Sequence, residues 1–270
     1  MLTFNQVSFE YPGQEELIQQ VSFQVEKGEF LCILGSNGSG KSTIAKLITG
    51  LLMPTKGEVN IGKDVTEKKQ DLRSIRKKAG IIFQNAEDQF ITSTVFDEVI
   101  FGLENIQYPP EKMKNCAEAA LRKVGMLDFS EYEPHRLSGG QKQRTAIASI
   151  LAMKPELIIF DESTSMLDPQ GRKQIMEVMK ELHEEGFTII HITHHMEEVL
   201  YADRVLILNE GKIVMEGTPE FIFNHSDKLR TYHLDVPFVI RAKESLMKHG
   251  FNIREGVIDI DELVESICRL

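Results

Sequence analysis

Cysteine is scarce in this chain of 270 residues. Cys32, Cys116 and Cys268 stand far apart and are odd in number. They form neither a C-x-x-C metal spacing nor a disulfide framework, so a reducing compartment is the natural reading. Cys32 lies in an apolar run, as a small core residue does. Long apolar stretches are lacking too. None approaches the ~18 residues that cross a bilayer, so the chain is not expected to span a membrane, although it can dock on a membrane protein. The opening residues, M-L-T-F-N-Q-V, lack the basic start and apolar block of a secretory signal. A basic excess is also missing: 31 Lys and Arg against 41 Asp and Glu give a net charge of −10. That argues against a nucleic-acid backbone as the main partner, since such binders present a basic face. No internal repeat or low-complexity tract occurs. What is present, 41% apolar and 27% charged residues, fits a soluble globular protein with a real core. The length allows one large domain or a domain with an appendage.

Residues 2–9 and 21–25 alternate apolar and polar positions, as half-buried strands do, with a turn at Tyr11-Pro12-Gly13 between them. Residues 31–34 form a fully apolar strand, and 57–61 and 80–83 are further short strands, the last ending at Gln84. The alternating strands predict an antiparallel sheet beside a parallel core. From 95 to 124 the spacing is helical, broken at Pro109-Pro110 and ending at Gly125. Residues 137–141 open another helix that runs to about Met153, before Pro155. A buried strand, 157–160, runs into Asp161-Glu162. A helix over 170–185 stops at Gly186, strand 188–192 follows, and 204–208 with 212–215 reads as a hairpin around Glu210-Gly211. This alternation predicts a parallel α/β sheet. Composition shifts near Asn224, which divides the chain into 1–225 and a C-terminal extension, 226–270. The extension carries two amphipathic helices, 239–248 and 261–269. Phe238, Leu246, Phe251, Ile258, Ile260, Leu263 and Ile267 call for burial against the main domain or a partner.

Residues 35–43, G-S-N-G-S-G-K-S-T, lie between the apolar strand F-L-C-I-L and the helical I-A-K-L-I. A strand that turns through glycines into a helix presents backbone N–H groups and the positive end of the helix dipole to an anion. The pattern G-x-x-x-x-G-K-[ST] completes a triphosphate cradle. Gly35, Ser36, Asn37, Gly38, Ser39 and Gly40 supply the loop, Lys41 reaches the β/γ-phosphates, Ser42 ligates Mg²⁺ and Thr43 follows in the helix. The alternative is a glycine-rich turn that binds nothing, which leaves the Lys and Ser unexplained. Asp161 and Glu162 stand at the carboxyl end of a hydrophobic strand, where ligands of such sheets sit. Asp161 can hold Mg²⁺ and Glu162 can polarise an attacking water; helix capping is the alternative for both acids. L-S-G-G-Q at 137–141, with K-Q-R at 142–144, puts Ser138 and two glycines at a helix start. That is a second anion site, and one chain cannot bring both sites to one phosphate. An ordinary N-cap would explain Ser138 but not Gly139, which weakens a helix at its start.

These motifs resemble the ATP-binding-cassette ATPases over about residues 1–225, with L-S-G-G-Q matching that family's signature. The resemblance implies a P-loop NTPase core with a mixed sheet, an antiparallel β subdomain and a helical subdomain, here with a small α-rich C-terminal extension. It implies head-to-tail dimers in which the signature of one subunit (Ser138, Gly139, Gly140, Gln141) covers ATP and Mg²⁺ held by the other. It also implies that Tyr11 stacks on adenine, Gln84 senses Mg²⁺ and the attacking water, and Asp168 of S-M-L-D links the two sites. His194 becomes the switch histidine at the γ-phosphate, preferred over His195 on register, while His191 reads as structural.

F-Q-N-A-E-D-Q-F-I-T-S-T-V-F-D-E-V-I-F-G-L-E-N at 83–105 and D-E-S-T-S-M-L-D-P-Q-G-R at 161–172 resemble a narrower group, the ATPase components of energy-coupling-factor vitamin importers. The second stretch looks like the first of the group's two paralogues. Ser163 and Thr145 replace a usual Ala and Val. That implies ATP hydrolysis driving uptake, a heterodimer with a second ATPase paralogue, a transmembrane coupling T component, exchangeable substrate-binding S components, and a peripheral place on the cytoplasmic face of the cell membrane. Phe90, Phe96 and Phe101 with Asp97 and Glu98 are then expected to line a groove for a basic helix of a membrane partner; core packing and a solvated face are the alternative. A soluble cassette acting on DNA or ribosomes would carry long coiled-coil insertions or a second cassette, and neither is present. A non-hydrolysing regulatory module would not keep Glu162, Gln84 and His194.

Overall fold

In a computed structural model of the chain, residues 1–251, 253, 256–258 and 260–268 are described. The first elements are strands β1 (Leu2–Glu10), β2 (Glu16–Val25) and β3 (Phe30–Leu34), helix α1 (Lys41–Ile48), and strands β4 (Lys56–Ile61) and β5 (Asp64–Val65). Helix α2 (Leu72–Lys78), strand β6 (Ala79–Ile82) and helices α3 (Val95–Asn105), α4 (Pro110–Lys123) and α5 (Gly139–Ala152) follow. Strand β7 (Leu157–Asp161), helix α6 (Pro169–Glu184) and strands β8 (Thr188–Thr193), β9 (Arg204–Asn209) and β10 (Lys212–Gly217) complete the second sheet. Helices α7 (Pro219–Phe223), α8 (Ser226–Thr231), α9 (Phe238–Lys248) and α10 (Ile260–Cys268) end the described chain. Arg269, where the last helix was expected to end, lies outside the described residues.

The strands form an antiparallel sheet ordered β2-β1-β4-β5 and a larger sheet ordered β10-β9-β3-β8-β7-β6. In the larger sheet β3, β6, β7, β8 and β9 run parallel, and β10 closes it antiparallel to β9. Successive residues of a strand point to opposite faces, so the central strands feed two cores. Phe30, Cys32, Leu34, Ile158 and Phe160 face a core shared with α3, α4 and α5. Leu31, Ile33, Leu157, Ile159 and Ile190 face a core shared with α1 and the antiparallel sheet. That double burial is why these strands read as unbroken apolar runs.

Three elements depart from the expected ones for local reasons. Strand β2 begins at Glu16 rather than near residue 21. Its pairing with β1 carries register shifts, and Gln20 sits at φ +51, so a bulge interrupts the alternation that marks a strand. Helix α2 has no side-chain cap at Asp71, and β5 spans two residues; neither leaves a pattern to read. The extension packs through Leu229, Leu234, Val236, Ile240 and Leu263 onto the core that holds α3–α5. Phe238 (59% exposed), Ile260 (54%), Phe251 and Ile267 are left facing solvent in the single chain. The main domain therefore does not bury these four, which leaves a partner as the surface that would cover them.

Candidate active site

The phosphate loop follows from β3 and α1. The chain leaves β3 through Gly35, where a Cβ would stand 2.3 Å from the Leu208 carbonyl oxygen of β9. Only glycine lets the loop pass so close to its neighbour strand. Gly40 precedes α1 at φ +105, in the left-handed region, and a Cβ there would meet Ile18 Cδ1 at 2.5 Å. Beyond it Lys41 is 4% exposed. Its Nζ folds back and donates to the carbonyl oxygens of Gly35 at 2.9 Å and Ser36 at 3.1 Å. Asn37 and Gly38 form the exposed crest of the loop. The Ser39 hydroxyl is buried without a hydrogen-bond partner. Tyr11 stands against the same helix, its hydroxyl 3.4 Å from Thr43 Oγ1 and its ring edge-on to Phe9.

The acid pair completes this side. Ser42 Oγ donates to Asp161 Oδ1 at 2.8 Å, so two oxygen groups from α1 and β7 already converge. Burial pushes the Asp161 carboxyl above its ordinary pKa, against the Ser42 hydrogen bond and together with the nearby Glu162 charge. Glu162 leaves β7 at φ +50, and its N–H donates to the Ile192 carbonyl of β8 at 2.9 Å. A non-glycine residue in that region is strained by roughly 1–2 kcal/mol. The twist aims the Glu162 carboxylate between Lys41 Nζ and His194 Nδ1, each 3.4 Å away. Gln84 joins from the end of β6: its Nε2 donates to Ser165 Oγ at 3.0 Å, and Ser165 Oγ donates to the Glu162 carbonyl at 2.8 Å. The fold thus gathers Lys41, Ser42, Gln84, Asp161, Glu162 and His194 at the carboxyl ends of β3, β6, β7 and β8.

The three histidines separate cleanly. His191 is fully buried and bonds Glu198. His195 turns toward Arg172, 3.4 Å from Nδ1, and burial pushes its pKa down. His194 is 41% exposed and is the one beside Glu162. Cys32, paired in register with His191, is buried; burial and then the Glu198 charge push its thiol well up, so it stays protonated and inert.

The L-S-G-G-Q segment lies elsewhere. Ser138 caps α5 in a reciprocal box, its Oγ accepting from the Gln141 N–H while Gln141 Oε1 accepts from the Ser138 N–H. With Met166, Asp168 and Gly171 these residues line a cleft of about 410 Å³ that no residue of the phosphate loop borders. Asp168 is the N-cap of α6, accepting from the Gly171 N–H at 2.6 Å. The glycines are the surplus feature. A Cβ on Gly139 would make an ordinary 3.5 Å contact with Leu167, and one on Gly140 an ordinary 3.7 Å contact with Gly171. Neither glycine is required by this chain's own packing.

The expected docking groove is corrected in its lining. Glu98 is buried, and its Oε2 accepts from the N–H groups of Ile91 and Thr92 and from Thr92 Oγ1. It is a loop anchor without charge to spare, because a buried carboxylate must be consumed by local donors. Phe96 packs on the core. A groove of about 420 Å³ does adjoin Phe90, but Thr92, Ser93, Glu133, Pro134, His135 and Glu87 line the rest of it. Phe96, Phe101, Asp97 and Glu98 are not among its walls. Glu133 left no signal in the sequence because the two segments that meet there, 87–93 and 133–135, are forty or more positions apart.

Comparison with known proteins agrees with this geometry. The ABC transporter family model matches residues 18–165. The chain is 45% identical over 270 residues to the energy-coupling factor transporter ATP-binding protein EcfA1 of Clostridioides difficile, covering 98% of each. It is 46% identical over 266 residues to EcfA1 of Listeria monocytogenes, covering 98% of this chain and 95% of the relative. Among solved structures, cbiO1 of Clostridium perfringens, part of the ABC transporter complex cbiONQ, superposes with a TM-score of 0.78 at 31% identity, covering 90% of this chain and 98% of that one. The ATP-binding cassette MJ0796, solved as a dimer in a post-hydrolysis state with ADP and Pi, superposes with a TM-score of 0.74 at 31% identity over 81% of this chain and 99% of that one. A phosphate loop, an acid pair and a separate signature helix, on a chain alike to these proteins almost end to end, place it in one family: the chain belongs to the ABC transporter ATPases, among the energy-coupling factor transporter ATP-binding proteins.

Proposed function

We propose that two such cassettes, this chain and a second ATPase paralogue, close head to tail on ATP, and that hydrolysis lets them reopen to drive a membrane importer of vitamins or other micronutrients. The observation that carries the reading is the pair of glycines at 139 and 140. Glycine is a poorer helix former than alanine, and nothing within the chain needs either one. Backbone N–H groups kept bare beside Ser138 fit the close approach of a phosphate, and the phosphate loop of the same chain does not border that cleft. The phosphate must then be held by a neighbour.

On this reading residues 1–225 are the cassette and 226–270 its extension. Lys41 and the N–H groups of 35–43 bind the triphosphate, Tyr11 stacks on the base, and Asp168 lines the joint between sites. Glu162 orients water and accepts its proton, Gln84 positions that water, and His194 contacts the γ-phosphate. The Ser42 and Asp161 oxygens fit a hard divalent cation: their 2.8 Å contact presents two oxygen ligands, and a buried carboxyl with a raised pKa gains from a positive neighbour. Among the described residues no group of three or more His, Cys, Asp or Glu could hold a metal alone, which suits Mg²⁺, an ion that completes its shell with phosphates and water. Bound there, Mg²⁺ would neutralise charge on the β/γ-phosphates. Gln84 would face it across the site.

Expected results follow for the two surfaces. Gly139→Ala should leave the melting temperature unchanged or raised, yet lower ATP turnover at least tenfold, because its Cβ stands where the phosphate must approach the backbone N–H groups and holds it off their oxyanion-type contact. Unchanged turnover in a well-folded Gly139→Ala protein would remove the signature from the site. The groove at Phe90 joins an apolar floor to the carboxylates of Glu87, which pairs with Lys142, and Glu133, which contacts His135 and Arg136 at its exposed rim. A basic helix of a transmembrane coupling component fits it, with substrate-binding components attached through that partner. This would place the chain on the cytoplasmic face of the cell membrane, with no nucleic acid involved. Reversing both charges, Glu87→Lys with Glu133→Lys, should abolish co-purification with the membrane components while ATP affinity changes less than about twofold; intact assembly would move the docking site elsewhere.

A further inference from the structure

Below His194 lies a buried polar cluster that the chemistry described so far does not use. Glu198 is 2% exposed. Its Oε2 accepts from His191 Nε2 at 2.7 Å and from Thr193 Oγ1 at 2.6 Å. Thr193 Oγ1 in turn accepts the His195 N–H at 3.0 Å. The turn carrying His194 is therefore pinned to Glu198 from both sides of the histidine. Burial opposes ionisation of Glu198, but the His191 ring and Thr193 hydroxyl outweigh it and hold its pKa down to about 2.

The second oxygen of this carboxylate makes no well-formed hydrogen bond, and neither does the Thr164 hydroxyl beside Glu198. Glu198 Oε1 and Arg172 Nε face each other at 3.7 Å, both are buried, and neither has a hydrogen-bond partner. A buried charged donor and acceptor that attract across an ion pair but make no hydrogen bond are held short of their best contact. A hydrogen bond between them needs about 2.7–2.9 Å, so a shift of roughly 1 Å would satisfy both. Arg172 is on the first turn of α6, four residues past its N-cap Asp168. That N-cap, with Met166 and Leu167, forms the wall of the signature cleft. The wall of the cleft and Arg172 therefore share the first turn of one helix.

We propose that Arg172 and Glu198 form a latch that closes when the signature cleft is engaged and sets His194 for the γ-phosphate. Arg172 and Glu198 are positioning residues: neither touches the nucleotide. Engagement of the cleft brings the guanidinium onto Glu198 Oε1, Glu198 holds Thr193, and Thr193 fixes the turn of His194. The proposal rests on the reading of His194 as the γ-phosphate contact.

The test measures ATP turnover and KM of the full-length chain assembled with its membrane components. The variants are Arg172→Ala, Arg172→Lys, Glu198→Gln, the double variant Arg172→Ala/Glu198→Gln, and His194→Ala. Arg172 is partly exposed, so its variants are expected to fold even if a Glu198 variant does not, and a melting curve of each checks this. The latch predicts that Arg172→Ala lowers kcat about tenfold with KM for ATP within about twofold, the scale of a single coupled contact. It predicts that Arg172→Lys restores most of the loss, and that the double variant is no slower than either single one. Full kcat in Arg172→Ala while His194→Ala is dead overturns the latch and spares the histidine. So do losses that multiply in the double variant, or a KM that rises in step with a falling kcat. Full turnover in His194→Ala overturns the histidine reading itself, and the latch with it.

Discussion

Glu162→Gln is expected to lower ATP turnover by about 10²–10⁴-fold, the contribution of a positioned general base, while ATP binding is kept or tightened. The sign of the binding change comes from the ion pairs. The Glu162 carboxylate stands 3.4 Å from Lys41 Nζ, the ammonium that must turn to the triphosphate. A carboxylate there both competes for the lysine and repels the phosphates; an amide of the same shape does neither. Hydrogen bonds of the Glu162 backbone to Ile192 and Ser165 do not depend on the side chain, so the twisted backbone and its neighbours persist. The variant should accumulate as a closed, ATP-loaded dimer, seen as a shift in size-exclusion mass with nucleotide retained. Undiminished turnover would take Glu162 out of the catalytic role.

Lys41→Ala should act on binding instead. Its Nζ is the cation buried closest to Glu162 in the described chain. Removing it deletes a charge-assisted contact worth roughly 1.5–3 kcal/mol and leaves the Glu162 charge facing the phosphates without an opposing partner. At 1.4 kcal/mol per tenfold, ATP affinity should fall at least about 10- to 100-fold. Calorimetry or a fluorescent ATP analogue measures the loss. Gly35 and Ser36 carbonyls lose their donor too, so a melting curve must accompany the titration. Wild-type affinity in a folded Lys41→Ala protein would contradict the phosphate-loop assignment. The two variants therefore separate: one keeps nucleotide and loses chemistry, the other loses nucleotide first.

Contiguous stretches governed what could be read without coordinates. The phosphate loop, the acid pair after β7 and L-S-G-G-Q are each a few residues long, and their chemistry is local to a strand end or a helix start. Strands β3, β7 and β8 were legible for a related reason: burial on both faces leaves an unbroken apolar run. Helices α3 to α6 carried helical spacing between Pro and Gly breaks. By contrast β2 was cut short because a bulge breaks the period of two.

Features that depend on distant residues meeting were settled by tertiary structure alone. Glu98 and Glu133 are both ionisable acids by sequence, one in V-F-D-E-V-I-F and the other in E-Y-E-P-H-R. The fold buries one under the loop at 91–92 and sets the other at the rim of a groove. His191, His194 and His195 share one short stretch, yet strand direction and the turn after β8 send the first to Glu198, the second to Glu162 and the third to Arg172. Sequence by itself determined the phosphate loop, the acid pair and the L-S-G-G-Q helix start, and with them the resemblance to the ABC ATPases, because motif chemistry and strand burial are written in neighbouring residues. Only the three-dimensional arrangement decided which charges are spent holding the protein together and which are free to work, since that depends on desolvation and on partners brought in from across the chain.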